Sequence, residues 1–405
     1  MLVAAVAAMT VPLALAAVAP SPAAARPARA STAARTMAAG GFSPVAVSPG
    51  AAGTPGASGP SVPLPDVGGP QLASPGTVVN YMPGGGLPLP DVPCSAYVIA
   101  DAETGQVLAA QDAHGLYPPA STLKVLTAIT LIPLLNPNAT VVASQLAATT
   151  AEYDVGLVAG QSYKVSDLFN ALLTISANDA AVALTQATGS LAKGMQLINA
   201  EAHHLQAYDV VAVQPNGLPA AGQVTSAYDQ ALIARQALAM PAFMKYDSTV
   251  SAEFPVRPGS SVPLVNQNTL LTQYPGGIGG KIGWTEAAMA TYIGMADRNG
   301  VTLIVTELHC TSLHEITAGE QLLNWGFAMD GKVRPVGTLV PPLPVAPVSH
   351  PRSRHVTTAA RKHTLAASAA SGGPAVPLAA GGSCLVLAGL AGVGWLGWRR
   401  RRSPL

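Results

Sequence analysis

Two different patterns of hydrophobic residues open the central part of the chain. Ser95–Ala100 and Gly105–Gln111 are rich in apolar residues and flank a short glycine-containing turn, which predicts two strands joined as a hairpin. Ser121–Ile132 is instead apolar nearly all round, a pattern typical of a buried helix. Pro119 lies shortly before this segment and Pro133 directly after it, and prolines mark the start and the end of helices.

The patterns that follow are first helical and then strand-like. They predict two helices, three strands and a closing helix, at Asp167–Thr174, Asp179–Thr188, Ile278–Thr285, Ala288–Met295, Val301–Leu308 and Glu315–Met329. Asn299-Gly300 lies in the turn that joins the last two strands. Strands first, helices in the middle and strands again near the end predict an α+β fold, in which five strands form one antiparallel sheet and helices pack against it.

Outside the block 93–330 the composition changes. The chain has 405 residues with 40 Gly and 36 Pro, and only 10% of its residues are charged. Much of the Gly and Pro lies at 26–92 and 331–375. Such segments bury too little apolar surface to offset the entropy lost on ordering, so both are predicted to be disordered linkers.

The two ends of the chain predict export and membrane attachment. Residues 1–25 combine an apolar run with small residues at its end, which indicates a signal peptide. Residues 376–398 carry no charge and come close to the ~20 residues that a transmembrane helix needs. The basic tail 399–405 favours a cytoplasmic C-terminus. We therefore expect a single-pass protein of the cell membrane whose central block lies on the extracellular, cell-wall side.

Charge and cysteine content exclude some classes of partner. The net charge is +1 and aromatic residues make up 5% of the chain, so neither a basic surface nor a base-stacking platform indicates a nucleic-acid partner. No Cys-x-x-Cys pair is present, and we expect no metal site. Cys94 and Cys310 would form a disulfide in an oxidising compartment. The alternative is two buried, unpaired thiols.

The first candidate for chemistry is Ser121-Thr-Leu-Lys124. A serine hydroxyl is a poor nucleophile until a base takes its proton, and residues i and i+3 share one face of a helix. Burial or a second cation lowers the pKa of a lysine enough for it to act as that base. Ser190 and Lys193 have the same spacing, but no proline pair opens a buried helix there, so we predict a chance match.

The second candidate, Ser176-Ala-Asn178, lies in the loop between two predicted helices. A hydroxyl in this position can pass a proton to a leaving nitrogen, and the neighbouring amide can hold a substrate carbonyl. The alternative for Asn178 is capping of the helix that follows, a position that asparagine favours in any protein.

The third candidate, Lys281-Ile-Gly283, follows a run of glycines. Glycine in a strand allows a ligand or another backbone to come close. Lys281 would supply a cation that anchors a carboxylate and lowers the pKa of Lys124. For a lysine considered alone, the alternative is an ordinary solvated surface residue.

In this order the three motifs resemble those of the penicillin-binding and β-lactamase superfamily. The sequences around them, at 118–124, 176–181, 215–218 and 279–288, look like those of the D-alanyl-D-alanine carboxypeptidases, the low-molecular-mass penicillin-binding proteins. The resemblance covers the whole block 93–330. It implies an antiparallel five-stranded sheet with helices on both faces, together with a helical subdomain.

The resemblance also implies a function. Such a serine peptidase removes the terminal D-alanine from peptidoglycan stem pentapeptides, needs no cofactor, and is acylated by β-lactam antibiotics. Ser121 would be the nucleophile, Lys124 its base, and Ser176 the group that protonates the leaving nitrogen. The backbone N–H groups of Ser121 and Trp284 would form the oxyanion hole. The substrate-binding residues that the resemblance implies are Asn178, Lys281, Gly283, Trp284 and Thr285.

One departure from the family pattern is Ile282, where the family usually has threonine. The missing hydroxyl helps to bind the terminal carboxylate of the substrate, and its loss should cost about 1.5–3 kcal/mol, or roughly 10- to 150-fold. Thr285 is a candidate to compensate in part. Two alternatives stay open. One is a β-lactamase, although no Glu-x-x-Leu-Asn follows Ser176; the other is a non-catalytic wall-binding protein in which Ile282 marks lost activity.

Overall fold

The hydrophobic patterns of the central block form strands and helices in an α+β arrangement. The computed structural model describes residues 67–344, except 151 and 258. The strands are β1 Thr77–Tyr81, β2 Cys94–Asp101, β3 Gln106–Gln111, β4 Thr140–Val142, β5 Ser162–Lys164, β6 Ser251–Arg257, β7 Ser260–Val265, β8 Gly277–Thr285, β9 Met289–Arg298, β10 Val301–Cys310, β11 Val333–Arg334 and β12 Gly337–Thr338. The helices are α1 Leu123–Leu131, α2 Gln145–Ala148, α3 Val165–Thr174, α4 Asn178–Gln186, α5 Leu191–His204, α6 Ala227–Leu238, α7 Pro241–Asp247, α8 Leu270–Gln273 and α9 Glu315–Met329.

One antiparallel sheet carries the fold, in the strand order β11-β1-β3-β2-β10-β9-β8, and β12 pairs with β3. β4–β5 and β6–β7 are separate two-stranded ribbons. The predicted α+β class and the antiparallel sheet are confirmed. β8, which contains the third candidate motif, is the last strand in this order, so it can present backbone groups to a ligand.

Helices cover both faces of the sheet, as the two neighbouring residues Thr306 and Glu307 of β10 show. The Thr306 hydroxyl donates a hydrogen bond to the carbonyl of Ala227, at the start of α6, over 2.7 Å. The Glu307 carboxylate lies beside Gly319 of α9. Because successive side chains of a strand point to opposite faces, α6 and α9 pack on opposite sides of β10.

The sheet has eight strands, so the expected five-stranded sheet is wrong in its strand count. β1 pairs with β3, with Val78 opposite Ala110, and β11 and β12 come from the chain after residue 330. Both predicted linkers therefore contain ordered structure next to the block 93–330. Composition failed here because short strands are held by pairing with their neighbours in the sheet and need few apolar residues of their own.

The second predicted linker stays in contact with helices of the domain after the strand β12. The Arg235 guanidinium of α6 donates to the carbonyl of Leu339 over 2.9 Å. The N–H of Leu343 donates to the carbonyl of His204 over 2.8 Å. The chain beyond the last strand is thus held to α5 and α6 by hydrogen bonds to its own backbone groups, which a proline-rich sequence does not reveal.

Cys94 and Cys310 lie directly opposite each other on the neighbouring strands β2 and β10, and their sulfurs are bonded. The disulfide, rather than two free thiols, is thus the state that the structure describes.

The predicted signal peptide, the predicted transmembrane segment 376–398 and the basic tail lie outside the described residues. Within 67–344, apart from the two positions left out, no helix has the length and apolar character required to cross a bilayer.

Candidate active site

Ser121 lies in a tight turn directly before α1 and not in the helix itself. Ala120–Thr122 form one turn of 3₁₀ helix and α1 begins at Leu123, so the predicted helix start at Ser121 is two residues early. Ala120 has a positive φ of 47°, a conformation that costs energy for a residue with a side chain. Gly217 makes room for the carbonyl of Ala120, because a Cβ at this glycine would collide with it. Neighbouring segments therefore fix the turn that presents Ser121.

Lys124 is fully buried and its amine makes three hydrogen bonds. Nζ lies 2.8 Å from the Ser121 hydroxyl, 2.7 Å from Asn178 Oδ1 and 2.7 Å from the carbonyl of Asn216. Burial lowers the pKa of Lys124 well below its ordinary value, and the positive charge of Lys281 lowers it further. A neutral amine has two hydrogens and one lone pair. The two carbonyl-type oxygens accept the hydrogens, which leaves the lone pair directed at the hydroxyl of Ser121.

Ser176 and Asn178 lie beside this pair. Ser176 is almost fully buried in the left-handed region, with φ 64°, and its Oγ has no hydrogen-bond partner among the described residues. An unpaired buried hydroxyl is costly in a folded protein, and a catalytic role is one explanation for its presence. The Ser176 side chain lines the same cleft as Ser121, so its free hydroxyl is available to a ligand.

The capping alternative for Asn178 is wrong. Asn178 is the first residue of α4, and no side chain caps that helix. Its Oδ1 accepts from Lys124, while its Nδ2 donates to the carbonyl of Glu152 over 2.5 Å. The Asn178 backbone N–H donates to the carbonyl of Tyr153 over 2.8 Å. Asn178 thus connects Lys124 to the loop that brings Tyr153 to the cleft.

Lys281 is buried, with only 2% of its surface exposed, so the surface-lysine alternative is wrong. Its Nζ donates to the carbonyl of Ile282 over 2.8 Å. Burial lowers the pKa of Lys281 to about 8, and the nearby Asp247 limits the fall. The positive charge of Lys281 in turn lowers the pKa of Lys124, so the lysine of the third motif helps to keep the lysine of the first motif neutral.

Asp247, which the sequence analysis missed, is a fully buried carboxyl at the end of α7. Its Oδ2 accepts a hydrogen bond from the Gly280 N–H over 2.7 Å. Burial raises the pKa of Asp247 to about 7. The hydrogen bond from the Gly280 N–H and the positive charge of Lys281 act in the opposite direction and lower it. Its only sequence signal was an aspartate at the end of an unpredicted helix, which is too common to single out.

The glycines before Lys281 serve the packing of β8 more than the approach of a ligand. A Cβ at Gly279 would collide with the Asp247 carboxylate, and one at Gly280 with the carbonyl of Ile293. Gly283 is different, because a Cβ there would lie 2.7 Å from the backbone nitrogen of Ser121. Of these glycines, Gly283 is therefore the one that lets β8 approach the serine.

Trp284 and Thr285 complete the third motif. The Trp284 side chain is half exposed and lines the cleft. The Thr285 hydroxyl accepts a hydrogen bond from the Ala288 N–H over 3.0 Å, and it fixes the turn between β8 and β9. That bond uses a lone pair of the Thr285 oxygen and leaves the O–H able to donate, so compensation by Thr285 for Ile282 stays a prediction.

These residues surround one cleft of about 300 Å³. Its walls are formed by Ser121, Tyr153, Ser176, Gln267, Ile282, Gly283, Trp284 and Glu315. Behind these walls lie three buried residues, Lys124, Asn178 and Lys281. The Lys124 amine contacts the Ser121 hydroxyl and Asn178 Oδ1, and the Lys281 amine contacts the carbonyl of Ile282. Three segments distant in sequence therefore converge on a single site. Tyr153, Gln267 and Glu315 were not predicted.

The second Ser-x-x-Lys segment has a structural role. The Ser190 hydroxyl accepts a hydrogen bond from the Lys193 backbone N–H over 3.1 Å and caps the N-terminus of α5. A capping serine satisfies a free backbone donor at the start of a helix. The prediction that this segment is a chance match is confirmed.

Comparisons with known proteins agree with this geometry. The family D-alanyl-D-alanine carboxypeptidase, peptidase S11, matches residues 87–311. The D-alanyl-D-alanine carboxypeptidase DacB2 of Mycobacterium tuberculosis is 39% identical over 267 residues, which cover 64% of this chain and 91% of that protein. The chain therefore belongs to the D-alanyl-D-alanine carboxypeptidase family.

Solved structures show the same fold. A crystal structure of a D-alanyl-D-alanine carboxypeptidase from Mycobacterium tuberculosis has a TM-score of 0.61 and 36% identity, covering 64% of this chain and 99% of that one. A mutant of a Streptomyces DD-transpeptidase has a TM-score of 0.56 and 25% identity, covering 59% of this chain and 99% of that one. Neither the β-lactamase nor the non-catalytic alternative gains support from these likenesses.

Proposed function

We propose that the protein is a serine D-alanyl-D-alanine carboxypeptidase that forms an acyl-enzyme on Ser121 and releases the terminal D-alanine of peptidoglycan stem pentapeptides. The family assignment supports the substrate class. The observation that carries the mechanism is the 2.8 Å contact between the Ser121 hydroxyl and the buried amine of Lys124.

In the acylation step, Lys124 accepts the Ser121 proton while the serine oxygen attacks the carbonyl of the penultimate D-alanine. The resulting ammonium has three hydrogens, and the Ser121 oxygen, Asn178 Oδ1 and the Asn216 carbonyl are placed to accept them. Lys124 therefore needs no new partner when it becomes charged, which lowers the reorganisation that accompanies proton transfer.

Collapse of the tetrahedral intermediate breaks the bond to the leaving nitrogen, which must gain a proton. We assign this transfer to the unpaired Ser176 hydroxyl, which gives its proton to the nitrogen and takes in exchange the proton that Lys124 accepted from Ser121, so that Lys124 is neutral again. Lys281 keeps a positive potential in the site. We assign the oxyanion hole to the backbone N–H groups of Ser121 and Trp284, and the close approach of Gly283 to the Ser121 nitrogen supports this choice. Water then hydrolyses the ester and restores Ser121.

The direct test is release of free D-alanine from a diacetyl-lysyl-D-alanyl-D-alanine peptide by the purified domain, with and without penicillin pretreatment. We expect release in a penicillin-sensitive manner, together with slow turnover of the penicillin itself. Rapid penicillin hydrolysis without D-alanine release would favour a β-lactamase. Absence of both acylation and release would favour the non-catalytic alternative.

We also propose that the catalytic domain works outside the cytoplasm and is anchored by residues 376–398. The disulfide between Cys94 and Cys310 supports an oxidising compartment. Cells that produce the full chain should hold the enzyme in the membrane fraction, accessible to external protease, whereas a chain ending at residue 375 should be released. A cytoplasmic, soluble full-length chain would contradict this proposal.

A further inference from the structure

The catalytic cleft reaches both sides of the edge strand β8. Gly283 faces the turn that carries Ser121, because a Cβ there would meet the serine backbone. Ile282, the preceding residue, is paired with Tyr292 of β9, and the Tyr292 ring lies against Gly319 of α9. Since directly paired residues point to the same face of a sheet, Ile282 lies on the α9 side of the strand. The cleft therefore has a second wall, formed by Ile282 and the start of α9.

Glu315 begins α9 and belongs to this second wall. Only 9% of its surface is exposed, and its Oε2 has no hydrogen-bond partner among the described residues. Glu307, buried nearby, likewise has an unpaired Oε1. Within the described part of the chain neither carboxyl forms a salt bridge. A buried acceptor without a donor is costly, and of these two carboxyls Glu315 is the one that lines the cleft.

Burial raises the pKa of both carboxyls of this wall, and raises it further for Glu307, which is fully buried. Burial raises the pKa of Glu307 well above its ordinary value, and the neighbouring Glu315 raises it further. Burial also raises the pKa of Glu315. A hydrogen bond from its own backbone N–H and the adjacent His314 lower this pKa in part. A positive group placed beside Glu315 would favour its ionised form.

The second wall also lacks what a carboxylate ligand requires. The resemblance to the family places a hydroxyl for the substrate's terminal carboxylate at position 282, on the leaving-group side of the scissile bond. In this chain that position is an isoleucine, and the titratable side chain that lines the cleft with it is the acid Glu315. Ile282 offers no hydrogen-bond donor, and Glu315 offers acceptors. The complementary ligand is therefore a cation with several N–H donors.

We propose that Glu315 binds an ammonium group on the leaving-group side of the cleft, so that the enzyme prefers a leaving D-residue with an amine-bearing side chain over one with an apolar side chain. This inference rests on the proposed function. The ammonium takes no part in bond making. It holds the leaving residue against the wall that Ile282 and Glu315 form, while Ser121 attacks the carbonyl that precedes this residue.

The test compares two peptides that differ only in that charge, diacetyl-lysyl-D-alanyl-D-lysine and diacetyl-lysyl-D-alanyl-D-norleucine. A hydrogen-bonded charge pair predicts a ratio of kcat/KM in favour of D-lysine of roughly 10- to 150-fold. Glu315→Gln should bring that ratio close to one. Glu320→Gln, on the same helix, should leave the ratio unchanged.

Three results distinguish the two proposals. A wild-type ratio near one, or a ratio that survives Glu315→Gln, overturns the role of Glu315 while the D-norleucine reaction upholds the proposed function. If neither peptide is cleaved and penicillin does not acylate Ser121, the proposed function fails and this inference fails with it. Glu315→Asp keeps the charge and should retain part of the preference, which loss of helix stability alone would not produce.

Discussion

Ser121–Lys124 and Ser190–Lys193 have the same spacing and opposite environments. In the first segment the lysine side chain is fully buried and its amine contacts the serine hydroxyl. In the second segment the serine hydroxyl accepts a hydrogen bond from the lysine's backbone N–H and caps the helix. Each serine thus lies at the start of a helix, and what differs is where the lysine side chain lies.

The difference comes from what surrounds each helix. α1 is buried on all sides, so its lysine has no route to water and must find partners inside, in Asn178 and Asn216. α5 has a buried face and an exposed one, and Lys193 lies on the exposed side. A serine and a lysine at this spacing therefore form a nucleophile and its base only where tertiary packing removes solvent from the lysine.

The largest expected effect separates the two serines. Ser121→Ala should abolish covalent labelling by a fluorescent penicillin, because the attacking oxygen is gone. Ser190→Ala should label like the wild type. Both are read on a denaturing gel after equal exposure. Labelling that persists in Ser121→Ala would disprove the nucleophile assignment.

The next effect separates the two lysines. Lys124→Met removes the base from the buried pair and should lower the acylation rate by roughly 10²- to 10⁴-fold, the range expected for loss of a general base. Lys193→Met should leave the rate unchanged. Stopped-flow acylation by a chromogenic β-lactam measures both. Equal rates in Lys124→Met and wild type would mean that another group takes the serine proton.

A gain of function is expected at Ile282. Ile282→Thr restores a hydroxyl beside the leaving group and should raise kcat/KM for D-alanyl-D-alanine peptides by roughly 10- to 150-fold, the value of a hydrogen bond to a charged group. Thr285→Val tests the expected compensation, because the Thr285 hydroxyl accepts from the Ala288 N–H and can still donate to a carboxylate. A fall in kcat/KM would show that Thr285 compensates in part. No gain in Ile282→Thr would show that other groups bind the carboxylate.

The pH dependence tests the coupling of Lys124 to the rest of the cleft. Lys124 must be neutral, so activity should fall as the pH drops through its lowered pKa. Lys281 must be charged, so activity should also fall as the pH rises through about 8. Asp247→Asn removes the charge that supports protonated Lys281 and should move this alkaline limb to lower pH. An unmoved limb would assign it to another group.

The smallest effect belongs to the capping serine. Ser190→Ala removes the N-cap of α5 and should lower the free energy of unfolding by about 1 kcal/mol, with activity retained. Urea denaturation of the wild type and the variant measures the difference. A loss of activity without a loss of stability would mean that the second Ser-x-x-Lys segment has a role in catalysis after all.

Some features of the protein followed from sequence alone. The closing helix Glu315–Met329 has the bounds that its pattern predicted, because a long amphipathic segment specifies its own conformation. The hairpin of β9 and β10 was predicted from Asn299-Gly300, and both residues adopt the positive φ that such a turn requires. The order of the three motifs likewise indicated the family, since each motif needs only a few specific residue types.

Other features depend on contacts between distant parts of the chain. The strands β1, β11 and β12 exist because they pair with the sheet, and the burial of Asp247 behind Gly280 depends on where α7 ends. The partners of Lys124 come from residues 54 and 92 positions away. A sequence determines which side chains are available and which local structures they favour. Only the folded structure decides which of them lose contact with water, and that loss is what shifts the pKa of Lys124.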